Sequence, residues 1–236
     1  MASESELLEV FRLAELAGEG EIVRVVGDRV ASVWLSRSRV REAELLLQRS
    51  LRVQTSARTL DRAATARQRL GDRQQALVFF NQALPLQREV GDRAGEATTL
   101  NNIGHVYDGL GDRQQALAFF NQALPLRREV GDRAGEATTL NNIGGVYDGL
   151  GDRQQALVFY NQALPLQREV GDRAGEAATL NNIGLVYDRL GDRQQALAFY
   201  NQALPLQREV GNRAGEATTL NNIGSVHDGL WTVNRR

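Results

Sequence analysis

Few side chains in this sequence could take part in catalysis or metal binding. The chain contains two histidines, His105 and His227, no cysteine and no lysine, so all 28 of its basic residues are arginine. These counts exclude disulfides, cysteine-based zinc sites, a three-histidine metal site and a lysine Schiff base. His105 and Asp108 are three residues apart and could touch on one helix, but two groups form neither a metal cage nor a nucleophile with its base. We therefore expect no catalytic residue, no metal site and no cofactor.

One pair of glycines has the spacing of a phosphate-binding loop. Gly104 and Gly109 match the first part of the motif GxxxxGK[ST], but Leu110 and Gly111 follow where the motif requires a lysine and a hydroxyl residue. The lysine contacts the phosphates and the hydroxyl binds magnesium, so the chemistry of the loop is missing. The same segment has the apolar spacing of a helix, and we interpret it as helical.

The overall charge and hydropathy narrow the range of partners. Acidic residues number 29 and basic residues 28, which leaves a net charge of −1 and no basic field for nucleic acid or an anionic membrane. No run of about eighteen apolar residues occurs, so no segment is predicted to cross a membrane. The first residues are acidic and lack the basic end and continuous apolar run of a signal peptide, so a cytoplasmic location is expected.

The sequence repeats itself with a period of 40 residues. Consecutive full copies differ at only four positions. A degraded first half and an intact second half precede the full copies, and one further first half follows them. Self-similarity at this period is the signature of a repeat architecture. In order along the chain, these segments are 56–70, 71–90, 91–130, 131–170, 171–210 and the partial copy that starts at residue 211.

Each period predicts two amphipathic helices. Apolar residues recur three and four positions apart in both halves of the repeat. Between the halves, Gly111 is expected to end one helix in a left-handed conformation, and Asp112 is expected to cap the next helix. Each second helix also contains a proline, which we expect to kink the helix unless the helix stops and restarts there. These prolines are Pro85, Pro125, Pro165 and Pro205.

One run of residues resembles the signature of the tetratricopeptide repeat. It is similar to the 40-residue variety found in kinesin light chain, in LGN-type polarity scaffolds and in many bacterial arrays, although the prolines and about six extra residues per unit depart from the common form. The run consists of Leu100, Asn102, Ile103, Gly104, Tyr107, Gly111, Ala116, Phe120, Ala123 and Leu124.

The resemblance implies an all-α fold, a right-handed superhelical solenoid of antiparallel helix pairs with about twelve helices. The repeat array is expected over residues 56–230. Residues 1–55 are expected to form a diverged N-terminal helical cap with one degenerate repeat, and residues 231–236 a C-terminal tail.

The resemblance also implies a binding surface. In tetratricopeptide proteins the first helix of each pair lines the inner surface and holds a protein or an extended peptide. The asparagines there resemble the ladder by which some family members grip a peptide backbone, since an amide both donates and accepts hydrogen bonds. Alternatively, the asparagines bond neighbouring helices and maintain the stack. The residues predicted to bind a peptide are Asn101, Asn102, His105, Asp108, Asn141, Asn142, Gly145, Asp148, Asn181, Asn182, Leu185, Asp188, Asn221, Asn222, Ser225 and Asp228.

One position of this surface differs in every copy. It is Thr65, His105, Gly145, Leu185 and Ser225 in the five copies, whereas the other exposed positions hardly vary. We interpret it as the position that selects ligand side chains; an unconstrained surface is the alternative. The recurring aspartates of the surface, which lack the basic residues of the family's carboxylate clamp, favour a neutral or basic ligand unless arginines neutralise them.

The array ends after a first helix that has no second helix to cover it. Ile223, Val226, Leu230 and Trp231 are expected to form an apolar edge that docks on another copy or on a partner, unless the chain is part of a longer array. We therefore expect a non-catalytic protein- or peptide-binding scaffold. The alternatives are a regulatory or sensing module for a signalling NTPase or a caspase-like protease, as in bacterial arrays, and a structural element that self-assembles through its ends into a homo-oligomer.

Overall fold

The computed structural model describes residues 3–233, with side chains described for residues 3–227, and this part of the chain is helical and contains no strand. It forms twelve helices, which confirms the predicted fold class and helix number. The helices are α1 (Glu4–Ala17), α2 (Gly20–Ser36), α3 (Val40–Val53), α4 (Ala57–Arg69), α5 (Arg73–Glu89), α6 (Arg93–Gly109), α7 (Arg113–Glu129), α8 (Arg133–Leu150), α9 (Arg153–Glu169), α10 (Arg173–Arg189), α11 (Arg193–Glu209) and α12 (Arg213–Val233).

The helices form two compact units. The first unit ends at Leu126 and the second begins at Arg127, so the boundary lies within α7. In the first unit α2 packs on α3 and α4 packs on α5, and in the second unit α8 packs on α9 and α10 on α11. Short turns join the partners, so each pair is antiparallel, as the periodicity predicts.

A short turn with a glycine and a capping aspartate joins the helices of the repeats. Gly111 adopts a left-handed backbone with φ 84°, and the carboxylate of Asp112 accepts a hydrogen bond of 3.1 Å from the backbone N–H of Gln115. The predicted helix end and helix cap are therefore both present. All four repeat prolines lie inside helices that continue through them, on the exposed side, so the alternative of a helix that stops and restarts does not occur.

A glycine of the first helix faces an aromatic ring of the second helix in three of the pairs, whereas Ala64 takes this place in α4 and shares a core cluster with Phe80. A Cβ added to Gly144 would lie 2.7 Å from the ring of Tyr160, and that ring is buried. The same relation holds for Gly104 with Phe120 in the first unit and for Gly184 with Tyr200. The pairs formed by α6 and α7, α8 and α9, and α10 and α11 thus approach closely because the first helix has no side chain at the contact.

A buried polar network links one repeat to the next. In the second unit the hydroxyl of Thr179 donates to Asn141 Oδ1 at 2.9 Å, and Gln167 Nε2 donates to the same hydroxyl at 2.9 Å. Thr179 is fully buried. The threonine hydroxyl of α10 therefore joins α8 to α9, and the hydroxyl of Thr219 in α12 likewise donates to Asn181 in α10. A buried hydroxyl without these partners would cost roughly 1–3 kcal/mol.

In the first unit an aspartate replaces the asparagine of this network. Asp61 accepts hydrogen bonds from Gln87 Nε2 at 2.6 Å and from the hydroxyl of Thr99 at 2.7 Å. Burial raises the pKa of Asp61 from 3.8 to about 6, although the hydrogen bonds from Thr99 and Gln87 favour the charged form. The charged carboxylate is thus less stable in the folded protein than in the unfolded chain, because the surrounding helices remove it from water.

A buried glutamate near the start of the first helix has a lowered pKa, in contrast to the raised pKa of Asp61. Glu96 accepts hydrogen bonds from Arg88 Nε at 2.6 Å and from Arg93 Nη1 at 3.0 Å. Burial raises the pKa of Glu96, but the two arginines outweigh burial and hold this pKa below its ordinary value of 4.5. Glu136 has equivalent partners and a lowered pKa for the same reasons. Their contribution to stability is present above pH 4.5 and is lost as the pH falls through the lowered pKa.

Two adjacent glycines of α8 should respond to alanine in opposite directions. Gly144→Ala places a Cβ against the ring of Tyr160 and should destabilise the protein, whereas a Cβ on Gly145 meets only the hydroxyl oxygen of Tyr160, at 3.7 Å. Gly145→Ala should stabilise α8 through helix propensity by about 1 kcal/mol. We expect the two variants to differ by about 2 kcal/mol in the free energy of unfolding, measured by urea denaturation. Equal stability of both variants would show that the ring does not limit the approach of the helices.

Replacing Asp61 should change how stability depends on pH. The wild-type protein loses stability as the pH rises from about 4 to about 6, because the folded pKa of Asp61 lies above the unfolded value of 3.8. Asp61→Asn removes this loss, so the variant should exceed the wild type by up to about 3 kcal/mol at pH 8 and by much less at pH 4.5. Urea denaturation across this range measures the difference. The reciprocal variant Asn141→Asp should lose stability as the pH rises, and a pH-independent difference for Asp61→Asn would contradict the assignment.

Candidate functional site

The residues predicted to contact a peptide lie along the first helices, and their side chains range from buried to exposed. At the variable position, His105 and Gly145 are exposed and Leu185 is half-buried. Ile103 and Val106, which flank this position in α6, are fully buried. The helix therefore presents the variable residue to solvent and uses its neighbours for packing. Ser225 of α12 is also exposed, and its hydroxyl donates to the carbonyl oxygen of Asn221 at 3.0 Å.

The first asparagine of the pair is buried or hydrogen-bonded to the next repeat in α6, α8 and α10, whereas Asn221 of α12 is exposed. Asn101 is 8% exposed, and Asn141 and Asn181 accept hydrogen bonds from threonines of the next repeat. The second asparagines, Asn102, Asn142, Asn182 and Asn222, are half-buried. In α12 the amide nitrogen of Asn222 also donates to Asn181 Oδ1 at 3.3 Å. Asn141 and Asn181 thus contribute to the stack, although they are half-buried like Asn142 and Asn182.

The repeated aspartates differ in their surroundings. Asp108 is exposed and Asp188 is half-buried. Asp148 forms an ion pair with Arg189 of α10, so its charge is matched within the second unit. The alternative in which an arginine neutralises the aspartate thus applies at Asp148. The side chain of Asp228 lies outside the described residues.

A cavity of about 300 Å³ lies at the variable position of the first unit. It lies among α4, α5 and α6, and its walls include both copies of the variable residue, Thr65 and His105. His105 Nδ1 and Gln68 Nε2 are hydrogen-bonded at 2.9 Å. Gln68, Arg69 and Arg73 were not among the predicted residues, and the signal in the sequence was the glutamine that replaces the repeated aspartate in this copy only. The cavity is lined by Thr65, Gln68, Arg69, Arg73, His105 and Gly109.

A second cavity of about 640 Å³ lies among α1, α2 and α3, away from the predicted surface. Phe11 and Trp34 form part of its wall. Both rings are buried, and the guanidinium groups of Arg49 and Arg39 lie over them at 5.0 Å and 4.5 Å from the ring centres. Arginines that cover aromatic rings are common in structural packing. This cavity brings together none of the residues predicted to bind a peptide.

The predicted apolar edge of α12 needs a correction. Val226 is not on the edge, because it is 1% exposed and packs against Ala196 and Tyr200 of α11. Ile223 is half-buried, and the side chains of Leu230 and Trp231 lie outside the described residues. The exposed apolar residue is Leu220, which is 44% exposed, whereas its equivalents in the other first helices are 1% exposed. These equivalents are Leu100, Leu140 and Leu180.

The part of the chain that the structure describes holds neither a metal-binding cluster nor a membrane-spanning helix. No three histidine, aspartate or glutamate side chains there are grouped closely enough to hold a metal ion. None of the described helices is both long and apolar enough to pass through a membrane.

Solved structures with the same fold come from several organisms. BtubC (BKLC) from P. vanneervenii is 24% identical, with a TM-score of 0.73 over 87% of this chain and 88% of that chain. Aspartyl phosphate phosphatase F from Bacillus subtilis is 13% identical, with a TM-score of 0.75 over 95% of this chain and 64% of that one. A STAND protein with a tetratricopeptide repeat sensor from Pyrococcus horikoshii is 16% identical, with a TM-score of 0.73 over 97% of this chain and 35% of that one. These similarities show a shared fold.

No curated protein sequence matches the chain. The sequence profile of the tetratricopeptide repeat matches residues 55–129, 123–169, 135–209 and 175–230, which together span most of the chain. Helix pairs that follow one another at the 40-residue period, with glycine and aromatic residues at their contacts, agree with that match. The chain belongs to the tetratricopeptide repeat family.

Proposed function

We propose that this protein is a non-catalytic scaffold that binds a protein or an extended peptide through the first helices of its repeats. The observation that carries the proposal is the contrast within these helices. The packing positions of the first helix are identical in the three full copies, whereas the position between them is His105, Gly145 and Leu185, which is exposed in the first two copies and half-buried in the third. A position that differs between copies, on helices whose packing residues are the same, can contact different ligand side chains in each repeat.

The second asparagines supply contacts to the ligand backbone. Asn142 and Asn182 are half-buried and lie at equivalent positions of α8 and α10 in the second unit. A primary amide can donate to a peptide carbonyl and accept from a peptide N–H, so this contact tolerates any ligand side chain. Asn141 and Asn181, one residue earlier, stay in the buried network. We thereby assign contacts with the ligand backbone to Asn142 and Asn182, and contacts between neighbouring repeats to Asn141 and Asn181.

The charge of the surface favours neutral or basic ligand side chains where the aspartates keep their charge unmatched. Asp108 is exposed. At Asp148 the ion pair with Arg189 removes this preference. Attraction between exposed charges is modest. We therefore expect the charge of the aspartates to influence which ligand binds and to supply little of the affinity.

A regulatory version of the same activity is a second candidate. The similar Pyrococcus horikoshii structure is that of a signal-transduction ATPase with a tetratricopeptide repeat sensor. In the regulatory version, the segment bound by this chain belongs to a signalling NTPase or a caspase-like protease. The residues that contact it are the same, because the binding surface is a property of the repeats.

Self-assembly is a third candidate, favoured by Leu220. This leucine is 44% exposed at a position where the other first helices bury a leucine under the next second helix. Gly224 also has no atom near its side-chain position, whereas Gly104, Gly144 and Gly184 each face an aromatic ring. The open face of α12 is therefore shaped to accept a helix that carries an aromatic residue.

The asparagine contacts can be tested with peptides selected from a display library on the full chain. The double variant Asn142→Ala, Asn182→Ala should weaken binding of selected peptides roughly tenfold or more, because it removes two sets of backbone hydrogen bonds. The matched control is Asn161→Ala, Asn201→Ala, which changes exposed asparagines on the second helices α9 and α11. Fluorescence anisotropy measures the affinities. Equal losses in both double variants would contradict the proposed surface.

The edge of α12 can be tested by light scattering. If it mediates self-association, the wild-type chain at high concentration should exceed its monomer mass of 26.1 kDa, and Leu220→Gln should return it to that mass. Leu190→Gln is the control, because Leu190 is similarly exposed, at 43%, but lies in a turn. A mass of 26.1 kDa for the wild type at all concentrations would exclude assembly through this edge.

A further inference from the structure

We propose that the cavity among α4, α5 and α6 binds an anionic oxygen group, a carboxylate or a phosphate, and thereby gives the first unit a preference that the other repeats lack. The proposal rests on the proposed function only in assigning this group to a peptide ligand. The binding of the anion itself follows from the cavity and can be measured without a peptide.

The cavity is cationic. Arg69 and Arg73 contribute to its walls, and no carboxylate does. Neither arginine forms an ion pair with a carboxylate among the described residues. Asp72, which precedes Arg73, pairs with Arg67 instead. Two guanidinium groups without a counter-ion beside one cavity form a ready site for an oxygen anion, because a guanidinium can donate two parallel hydrogen bonds to it.

The arginines are held in place by the fold. Arg69 Nη1 donates to the carbonyl oxygen of Leu35 at 2.7 Å, which anchors one side of its guanidinium group. Arg73 lies across α6 at Gly109, where an added Cβ would be 2.8 Å from Arg73 Nε. The absence of a side chain at Gly109 therefore gives Arg73 its room. Groups that are positioned before the ligand arrives lose less conformational entropy on binding.

The second unit has a carboxylate at this place. Its equivalent residues are Asp148, Arg153 and Arg189, which correspond to Gln68, Arg73 and Gly109. There Asp148 supplies the carboxylate and pairs with Arg189. The four other copies of the repeat all have aspartate at this position, and only the first has glutamine. The first unit therefore has Arg73, which the repeats share, and Arg69, which replaces a glycine of most copies, around a position that carries no carboxylate.

The polar groups of the cavity are compatible with an external anion. Gln68 and His105 are hydrogen-bonded to each other, and both side chains lie at the wall. The hydroxyl of Thr65 already donates to the carbonyl oxygen of Asp61 at 2.8 Å, so the donors for an anion come from the arginines and the imidazole. The volume of about 300 Å³ is at the lower end of that of small-molecule sites and accommodates an acidic side chain.

Anion binding can be followed through the imidazole of His105 by NMR. The chain has only two histidines, so His105→Gln assigns the signals and His227 serves as an internal reference. Succinate and inorganic phosphate should each shift the His105 signals in a saturable way at constant ionic strength, whereas chloride should not. The anion that binds with the higher affinity shows whether the carboxylate or the phosphate is the preferred group. Shifts equal to those caused by chloride would overturn the proposal.

The decisive variant is Gln68→Asp, which restores the residue of the other repeats and should keep the fold. The introduced carboxylate should occupy the cationic cavity and weaken anion binding roughly tenfold or more. Arg73→Gln should have a similar effect, and Arg153→Gln at the equivalent place of the second unit should have none. Unchanged anion binding in both Gln68→Asp and Arg73→Gln would also overturn the proposal.

A pair of otherwise identical peptides, one with glutamate and one with glutamine, separates this inference from the proposed function. If the cavity reads an acidic side chain, the wild type should bind the glutamate peptide about tenfold more tightly, and Gln68→Asp should bind the two peptides equally. Equal binding of both peptides by the wild type would refute the inference and leave the scaffold function intact. Saturable anion binding by a chain that binds no peptide would support the anion site and contradict the scaffold function.

Discussion

The close contact between a small residue of the first helix and a buried aromatic ring of the second helix is the interaction on which the rest of this structure depends. Each first helix is amphipathic and cannot bury its apolar stripe alone, so it must press against the second helix of its pair. At Gly144 and Tyr160 the approach is so close that a single methyl group would collide. The close approach buries the ring and fixes the rotation of α8, which in turn decides that Gly145 and not Gly144 is exposed. The surface that we assign to the ligand is a direct consequence of this packing.

The polar network adds the second constraint, since it connects pairs rather than helices within a pair. Hydrophobic contacts alone would allow neighbouring pairs to slide, but the hydroxyl of Thr179 must meet both Asn141 and Gln167 or remain unsatisfied in the interior. The register of the stack is therefore specified by hydrogen bonds of defined geometry. Asp61 shows that the network accepts a carboxylate in place of the amide, at the cost of a raised pKa.

Much of this organisation could be predicted from the sequence because its causes are local. Gly111 and Asp112 specify a helix end and a helix cap through their own backbone and side-chain chemistry, and the structure has both. Helical phase alone was not enough for Asn101, which lies at the border of the apolar stripe and is drawn into the interior by its neighbours. Val226 was misplaced for a similar reason, because its contact with Tyr200 belongs to the preceding helix. The cationic cavity combines three helices that are separate in the sequence, so no single motif reveals it.

The first three helices differ from the standard repeat in the aromatic residues that they bury. Phe11 of α1 and Trp34 of α2 share a core cluster with apolar residues of α3 and α4. Arg49 and Arg39 lie over these rings and also form ion pairs with Glu15 and Glu4 of α1, so their divergence from the repeat has a packing role. Arg69 likewise has a structural contact, because it donates to the backbone of α2 at Leu35. The divergence of Gln68 is different in kind, because its partner is His105 of the variable position and both side chains line the cavity to which we assign an anion.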